Sequence, residues 1–183
     1  MACNEAIRAA KLAKIRAAVQ SYPDFPKPGV LFRDIFPIFQ NPYVYEDLIS
    51  VMEDHIKEQH LQVDVLVGLE SRGFLFAPLL AYNLGKSFVP VRKKGKLPGE
   101  VVSIKYGLEY GEDTFEVQKH AIKPGQKVII VDDLLATGGT MKAACELIEN
   151  LKAEVLECIT VIELLDLKGR ERLNRPCTTI LQF

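Results

Sequence analysis

The fold is decided by the stretch Val128-Ile-Ile-Val-Asp-Asp-Leu-Leu-Ala-Thr-Gly-Gly-Thr140. Its first four residues are apolar and β-branched, a composition typical of a buried strand. Two adjacent carboxylates stand at the carboxyl end of that strand, and a Gly-Gly turn then opens a predicted helix. Backbone N–H groups at the start of a helix bind anions, helped by the helix dipole. The stretch therefore predicts a phosphate site with two acidic side chains close behind it.

Predicted strands and helices alternate along the rest of the chain. Strands are predicted at residues 63–68, 87–91, 127–131, 155–164 and 178–181, and helices at residues 5–20, 42–60, 73–84 and 140–152. Such alternation predicts an α/β fold with a central, mainly parallel sheet flanked by helices. Residues 93–124, which carry charge, Gly and Pro and contain short β-like stretches, are interpreted as an excursion from the sheet. Ligands of such folds bind beyond the carboxyl ends of the strands.

Length and composition narrow the function classes. A chain of 183 residues suffices for one domain with a real core, and we expect a single domain over residues 1–183. The formal net charge of −1 argues against a nucleic-acid partner or an anionic membrane surface. No apolar run approaches the roughly 20 residues of a membrane span. The four cysteines form no C-x-x-C pair, which favours reduced thiols and a cytoplasmic location.

Two short features have alternative interpretations. The basic segment 7–19 is interpreted as a surface helix, with a transit peptide as the alternative. His55 and His60 have no partners at zinc-like spacing in the sequence. They are therefore interpreted as polar positions near a helix end.

The paired acids indicate what lies beside the phosphate. Carboxylates this close to a phosphate would repel it unless they hold hydroxyl groups or a metal ion. A ribose 5-phosphate meets both conditions, with its phosphate on the loop and its hydroxyls on the acids. The residues assigned to it are Asp132, Asp133, Ala136, Thr137, Gly138, Gly139 and Thr140. Paired acids after a strand also occur in Mg²⁺ phosphatases and receiver domains, so the acids alone leave those classes open.

The whole stretch resembles the phosphoribosyl pyrophosphate signature of the type I phosphoribosyltransferase family. Further segments resemble those of its adenine-specific members, namely Phe25–Ile35, Gly68–Phe74, Arg92–Gly99, Leu108–Gly111, Val155–Cys158 and Leu167–Glu171. The resemblance covers the chain from about Ser21 to Gln182. It implies a Mg²⁺-dependent transfer of the phosphoribosyl group from phosphoribosyl pyrophosphate to N9 of adenine. The resemblance also implies that the products are AMP and pyrophosphate, that the pathway is purine salvage, and that the enzyme is a homodimer.

An adenine site is implied by the same resemblance. A stiff, proline-rich hood over residues 21–40 covers the base, with Phe32 and Leu134 on its two faces. Backbone groups of Leu31 and Arg33 lie at the edge of the base. Backbone carbonyls suit the exocyclic amine of adenine, whereas a 6-oxopurine needs donors. A position in the core is the alternative for Phe32.

Pyrophosphate is assigned to two segments at strand ends. The resemblance implies a pyrophosphate-binding backbone loop at Glu70-Ser71-Arg72, with a cis peptide bond between its first two residues. It also assigns contacts to Arg92, Lys93 and Lys96, partly across the dimer interface. An ordinary ion pair is the alternative role for Arg72.

The catalytic acid/base group is identified by resemblance as Glu109. Tyr110 lies beside it in a flexible loop over residues 95–116, whose closure excludes water. The other loop acids, Glu112, Asp113 and Glu116, are alternatives. Mg²⁺ is expected to have few direct protein ligands, with the two acids of the signature acting mainly through ribose and water.

Three other functions fit the sequence less well. A transferase for hypoxanthine, guanine or orotate is disfavoured by the hood and by the segment Leu108–Gly111. A DNA-binding regulator that senses phosphoribosyl pyrophosphate would need a separate basic module, and the roughly sixty residues before Val63 leave no room for one. A Mg²⁺ phosphatase needs a nucleophilic Asp with space for in-line attack, which the Thr-Gly-Gly-Thr loop fits poorly.

Overall fold

A computed structural model of the chain describes residues 2–107 and 112–183, without the side chains of residues 2–4 and 112. The chain forms two compact units, Met1–Asp54 and His55–Phe183. Within the described ranges, no helix is both long enough and apolar enough to cross a bilayer.

The first unit consists of helices and one small hairpin. Its elements are α1 (Ala2–Ala18), β1 (Gln20–Pro23), β2 (Leu31–Asp34), α2 (Phe36–Gln40) and the first part of α3 (Pro42–Gln59). The start of α3 is as predicted, because the Asn41 side chain accepts a hydrogen bond from the Tyr43 N–H at 3.1 Å. The proline-rich segment 22–29 is not helical, because its three prolines disfavour a helix. It connects β1 and β2, which pair in antiparallel fashion.

A seven-stranded sheet forms the centre of the second unit. Its strands are β3 (Val65–Leu69), β4 (Ser87–Lys93), β5 (Val101–Gly107), β6 (Glu112–Gln118), β7 (Lys127–Leu135), β8 (Glu154–Glu163) and β9 (Cys177–Gln182). They lie in the order β5-β6-β4-β3-β7-β8-β9. The run from β4 to β9 is parallel throughout, which confirms the predicted mainly parallel sheet.

The short β-like stretches expected within residues 93–124 are present, but the interpretation of this segment as an excursion from the sheet was wrong. β5 and β6 pair with each other in antiparallel fashion, and β6 pairs with the end of β4. Phe115 and Val117 alternate with polar residues along β6, and both side chains are buried in the core. The segment extends the sheet because this alternation gives it an apolar face to bury.

Helix α4 (Ala77–Leu84) packs on β3 and β4, and α5 (Gly139–Asn150) packs on β5, β6, β7 and β8. The helix predicted at residues 73–84 begins later than expected, because Arg72–Leu75 form a 3₁₀ turn and Pro78 lies in the first turn of α4. The helix ends as predicted at Gly85, whose φ of 63° is left-handed.

The central strands position the functional groups. β3 is buried along its whole length, as expected for a parallel strand covered on both faces. β7 runs to Leu135, beyond its predicted end at residue 131, so Asp132 and Asp133 lie within the strand itself. Both acids therefore stand at the carboxyl edge of the sheet, on a rigid element.

Candidate active site

A cavity of about 480 Å³ opens at the carboxyl ends of β3 and β7. Its walls come from the residues after β3, from the acids of β7, from the loop that leads into α5, and from β5 and β6. All of these elements belong to the second unit. The cavity is thus where the sequence predicts ligand binding.

The loop between β7 and α5 is held in place by backbone packing. Gly138 has a φ of 81°, a left-handed conformation that favours glycine, and α5 begins at the next residue. A Cβ atom at Gly138 would collide with the carbonyl oxygen of Gly169, and a Cβ atom at Gly169 would collide with that of Ala136. The loop therefore rests on the backbone around Gly169, a supporting role that the sequence alone did not reveal.

Arg170 fixes this supporting segment to the sheet. Its guanidinium donates hydrogen bonds to both carboxylate oxygens of Glu163 on β8, at 3.1 and 2.6 Å, and to the carbonyl of Cys177 on β9. Glu163 is buried, and the hydrogen bond from Arg170 is the main reason that the pKa of its carboxyl is lowered. The backbone behind the loop is therefore anchored by a charge-assisted pair.

The two acids of β7 have different environments. Asp133 is buried and ion-paired, with 2.9 Å between its Oδ2 and Arg72 Nε. Asp132 lines the cavity, and burial together with the charge of Asp133 raises the pKa of its carboxyl well above the usual range. Burial raises the pKa of Asp133 as well, but Arg72 opposes that effect. The ionised form of Asp132 is therefore unfavourable until hydroxyl donors or a cation face it.

We expect Asp132→Asn to raise the thermal stability of the protein at neutral pH. The amide retains an oxygen that can accept the Asp133 N–H, which donates to Asp132 Oδ1 at 2.9 Å, and it carries no buried charge. The folded-state pKa of Asp132 is raised above its unfolded value of about 3.9. The gain in Tm should therefore be absent below about pH 4 and grow as the pH rises. A stabilisation of roughly 1 kcal/mol would shift Tm by about 2–4 °C in calorimetric scans between pH 4 and pH 8.

Asp133→Asn is the matched control, and its effect should have the opposite sign. That substitution leaves the half-buried Arg72 guanidinium without its carboxylate partner, so Tm should fall at neutral pH. Equal shifts for the two variants, or a pH-independent gain for Asp132→Asn, would contradict the raised pKa of Asp132.

Glu70, which also lines the cavity, is hydrogen-bonded to several basic residues. Its carboxylate accepts hydrogen bonds from Lys96 Nζ at 2.5 Å, from the Lys93 N–H at 3.0 Å and from Arg92 Nε at 3.2 Å. Burial alone would raise the pKa of Glu70, but these bonds outweigh it and lower the pKa to about 2. The predicted cis peptide bond between Glu70 and Ser71 is present.

Comparison with known proteins agrees with this geometry. Residues 37–181 match the family model of the phosphoribosyl transferase domain. The adenine phosphoribosyltransferase of Rattus norvegicus is 53% identical over 175 residues, which cover 94% of this chain and 97% of the relative. The chain belongs to the adenine phosphoribosyltransferase family. The Mus musculus enzyme is 52% identical with the same coverage, and the predicted family and enzyme class are confirmed.

Solved adenine phosphoribosyltransferases share the fold. The Saccharomyces cerevisiae enzyme, crystallised with adenine and an imino-altritol bisphosphate, superposes with a TM-score of 0.92 at 51% identity, covering 94% of this chain and 99% of that one. The Giardia lamblia enzyme, crystallised with 9-deazaadenine, gives a TM-score of 0.86 at 34% identity, covering 94% and 97%. The predicted type I phosphoribosyltransferase fold is therefore confirmed.

Most of the residues that are predicted to bind substrate line this cavity. They are Glu70, Ser71, Arg72, Lys93, Lys96, Asp132, Asp133, Leu134, Ala136, Thr137, Gly138 and Thr140. Gly139 is not in its lining and is the first residue of α5. Arg92 is not in the lining either, and it contacts the cavity residue Glu70 instead. Arg72 forms an ion pair with Asp133, the alternative role predicted for it, and it also lines the cavity.

The remaining predicted residues belong to the first unit or fall outside the described residues. Leu31, Phe32 and Arg33, which are predicted to contact adenine, belong to the first unit and lie in strand β2. The predicted catalytic pair, Glu109 and Tyr110, falls outside the described residues.

β5 and β6 contribute cavity walls that the sequence alone did not identify. The rings of Tyr106 and Phe115 lie 4.7 Å apart, and Asp113 Oδ2 is 3.0 Å from Lys93 Nζ. Burial and then Asp113 raise the pKa of Tyr106 to about 12, so its phenol remains a proton donor at neutral pH. The lining residues that the sequence did not identify are Tyr106, Phe115, Leu135 and Met141, whereas Asp113 was expected only as an alternative loop acid. Apolar and polar residues alternate along β5 and β6, which could have predicted these strands. The register of the hairpin is needed to tell which of their side chains face the cavity.

Proposed function

We propose that the protein transfers the 5-phosphoribosyl group of phosphoribosyl pyrophosphate to N9 of adenine, giving AMP and pyrophosphate in purine salvage. One observation carries the proposal: an anion-binding loop, paired carboxylates and basic side chains meet in one cavity of a chain 53% identical to the Rattus norvegicus enzyme. In the reaction the bond from C1′ to the pyrophosphate oxygen breaks, the bond from C1′ to N9 forms, and adenine releases a proton.

The ribose 5-phosphate is assigned to the loop and the acids of β7. The N–H groups at the start of α5 and the hydroxyls of Thr137 and Thr140 donate to the phosphate, with Ala136, Gly138 and Gly139 allowing its close approach. Asp132 and Asp133 accept hydrogen bonds from the ribose hydroxyls. The Arg72 ion pair supports this assignment, because it holds Asp133 in one orientation.

We assign the pyrophosphate group to another part of the cavity, which is lined by Ser71, Arg72, Lys93 and Lys96. Lys96 is held by Glu70 and Lys93 by Asp113, with Nζ–oxygen distances of 2.5 and 3.0 Å. Both lysines are thus already oriented beside the cavity, so that less side-chain entropy is lost when an anion binds. Arg92 acts on the same group through Glu70.

The charges of the cavity favour Mg²⁺ as a cofactor. Its lining carries three cationic side chains (Arg72, Lys93, Lys96) and four carboxylates (Glu70, Asp113, Asp132, Asp133). The protein alone does not neutralise a substrate with several negative charges, so the donor set fits a cation bound mainly by substrate oxygens and water, with Asp132 and Asp133 nearby. Bound Mg²⁺ would stabilise the charge that develops on the leaving pyrophosphate.

The base site and the acid/base group rest on the family resemblance. We assign Leu31, Phe32, Arg33 and Leu134 to adenine contact. Glu109 accepts or relays the proton that adenine releases, and Tyr110 beside it helps to exclude water.

The organisation of the protein is proposed on the same basis. The family model runs from residue 37 to residue 181 across the boundary between the two units, which supports one phosphoribosyltransferase domain. We further propose a homodimer, with the hood at residues 21–40. The flexible loop expected at residues 95–116 is not proposed over that whole range, because β5 and most of β6 within it belong to the sheet. A cytoplasmic location is supported by the unpaired, buried thiols of Cys145, Cys158 and Cys177.

The test of function is a panel of bases. The purified protein is incubated with phosphoribosyl pyrophosphate, Mg²⁺ and either adenine, hypoxanthine, guanine or orotate, and pyrophosphate release is followed. We expect turnover with adenine, at least about 10³-fold above the other bases in kcat/KM, because a site that pairs with an amine leaves polar groups unpaired against a 6-oxopurine.

Each alternative outcome has a definite meaning. Turnover with a different base would retain the phosphoribosyl site and overturn the adenine assignment. Tight binding of phosphoribosyl pyrophosphate without turnover of any base would overturn the enzyme and favour a regulator.

A further inference from the structure

A second polar cluster lies toward the amino end of the parallel strands, away from the cavity. His55 is in the last turns of α3, His60 directly follows that helix, and Glu157 is on β8. Glu157 pairs with Ile129 of β7, three residues before Asp132. That offset places the cluster roughly 10 Å along the strands from the acids of the cavity. It therefore belongs neither to the phosphate loop nor to the paired carboxylates.

Both imidazole rings converge on one carboxylate oxygen. His55 Nε2 lies 2.8 Å and His60 Nε2 lies 2.7 Å from Glu157 Oε2. One nitrogen from each ring and one oxygen from the carboxylate all lie within 4.8 Å of one another. The other oxygen of Glu157 accepts a hydrogen bond from the Thr178 hydroxyl at 2.5 Å, which turns Oε2 toward the rings. Two imidazoles and one carboxylate are a donor set that zinc proteins use.

The spacing suits a small divalent ion. Ligand atoms of a tetrahedral zinc site with bonds of about 2.0–2.1 Å stand about 3.3 Å apart. The two contacts of Glu157 are about half an ångström shorter than that spacing and no two of the three ligand atoms are more than 4.8 Å apart, so rotations of the side chains would bring them to the spacing of such a site. The side chains of His55 and His60 are 16% and 17% exposed, so an ion from solvent can reach the rings.

Hydrogen bonding within the protein does not satisfy the cluster. His60 Nδ1 is buried and has no hydrogen-bond partner among the described residues. Most buried polar atoms in proteins do have a partner, and an orphan calls for an explanation such as a bound water or ion nearby. With Nε2 as the atom that faces Glu157, Nδ1 is the ring nitrogen that would donate its N–H to a bound water, as the second nitrogen of a metal-bound histidine commonly does.

We infer that His55, His60 and Glu157 form a binding site for one Zn²⁺ ion that links the end of α3 to β8. The nitrogen-rich donor set suits Zn²⁺ and is a poor match for Mg²⁺, which takes oxygen ligands. The site is therefore distinct from that of the catalytic metal. Three protein ligands leave a fourth position for water, and the ion stabilises the fold rather than taking part in phosphoribosyl transfer.

The experiment is a Zn²⁺ titration of the full-length, tag-free protein after treatment with a chelator. We expect one equivalent to bind by calorimetry. Tm should rise by about 5–10 °C when free Zn²⁺ reaches roughly a hundred times Kd. Substituted Co²⁺ should give the visible bands of a tetrahedral ion without a thiolate charge-transfer band, which separates this site from binding by cysteines.

Single substitutions locate the ion. His55→Gln and His60→Gln should each weaken binding at least about tenfold and abolish the Zn²⁺-dependent rise in Tm, because each removes one ligand. The control is His120→Gln, since the side chain of His120 is 83% exposed and lies apart from the cluster, and it should bind as the parent does. Absence of a saturable site in the parent, a thiolate band with Co²⁺, or undiminished one-to-one binding in both ligand variants would overturn the proposal.

Discussion

Gly138→Ala is expected to lower kcat/KM for phosphoribosyl pyrophosphate by about 100-fold or more. The added methyl group would meet the Gly169 carbonyl, which is backbone and cannot rotate away, so the loop must move from its position at the start of α5. Displaced N–H groups lose hydrogen bonds to a charged phosphate, each worth about 1.5–3 kcal/mol. Steady-state kinetics with varied phosphoribosyl pyrophosphate, at saturating adenine, measures the change.

Gly125→Ala is the matched control for backbone strain. Gly125 has a φ of 80°, nearly that of Gly138, yet nothing lies within 4 Å of the position that its Cβ would take. Both variants carry the cost of a left-handed alanine, about 1–2 kcal/mol of stability. The Gly138 variant alone has the collision. Equal kinetics in the two variants would show that the contact with Gly169 does not position the loop.

Glu109→Gln is expected to lower kcat by about 10²–10⁴-fold, because the amide cannot accept the proton that adenine releases. The substitution preserves size, so KM for phosphoribosyl pyrophosphate should change little. Pre-steady-state measurement of AMP formation would place the loss on the chemical step rather than on product release.

Neighbouring acids supply the controls for Glu109. Asp113 pairs with Lys93, so Asp113→Asn should act mainly on KM for phosphoribosyl pyrophosphate. Glu116 is buried and accepts the Gly95 N–H at 2.8 Å, so the effect of Glu116→Gln should be on stability. Glu112→Gln should leave kcat within a few-fold of the parent. A loss of kcat in the Glu112 variant as large as that in the Glu109 variant would move the catalytic role away from Glu109.

The parts of the fold that could be predicted are those encoded by neighbouring residues. The apolar run Val128–Val131 specifies a buried strand, and the two glycines after it specify a turn into a helix. The start of α3, with Asn41 as the cap and Pro42 at the first position, is likewise specified by two adjacent residues. Each of these features depends on a few consecutive side chains, so the sequence displays it directly.

The parts that could not be predicted depend on residues far apart in the chain. The β5–β6 pairing requires a register that no single segment contains. The contact between Gly138 and Gly169 is made by backbone atoms, which leave no side-chain pattern. Glu157 is 102 residues from His55 and 97 from His60, so sequence spacing gave no sign of their cluster.

The ion pairs around the cavity also bear on how substrate reaches it. Arg72, Lys93 and Lys96 are each paired with a carboxylate of the site, so the opening projects little net positive potential. Long-range steering needs an excess of one sign of charge and weakens steeply with ionic strength. The rate of diffusional encounter with an anionic substrate should therefore depend only weakly on ionic strength. The cations act only at short range, after the substrate has entered and drawn them from their carboxylate partners.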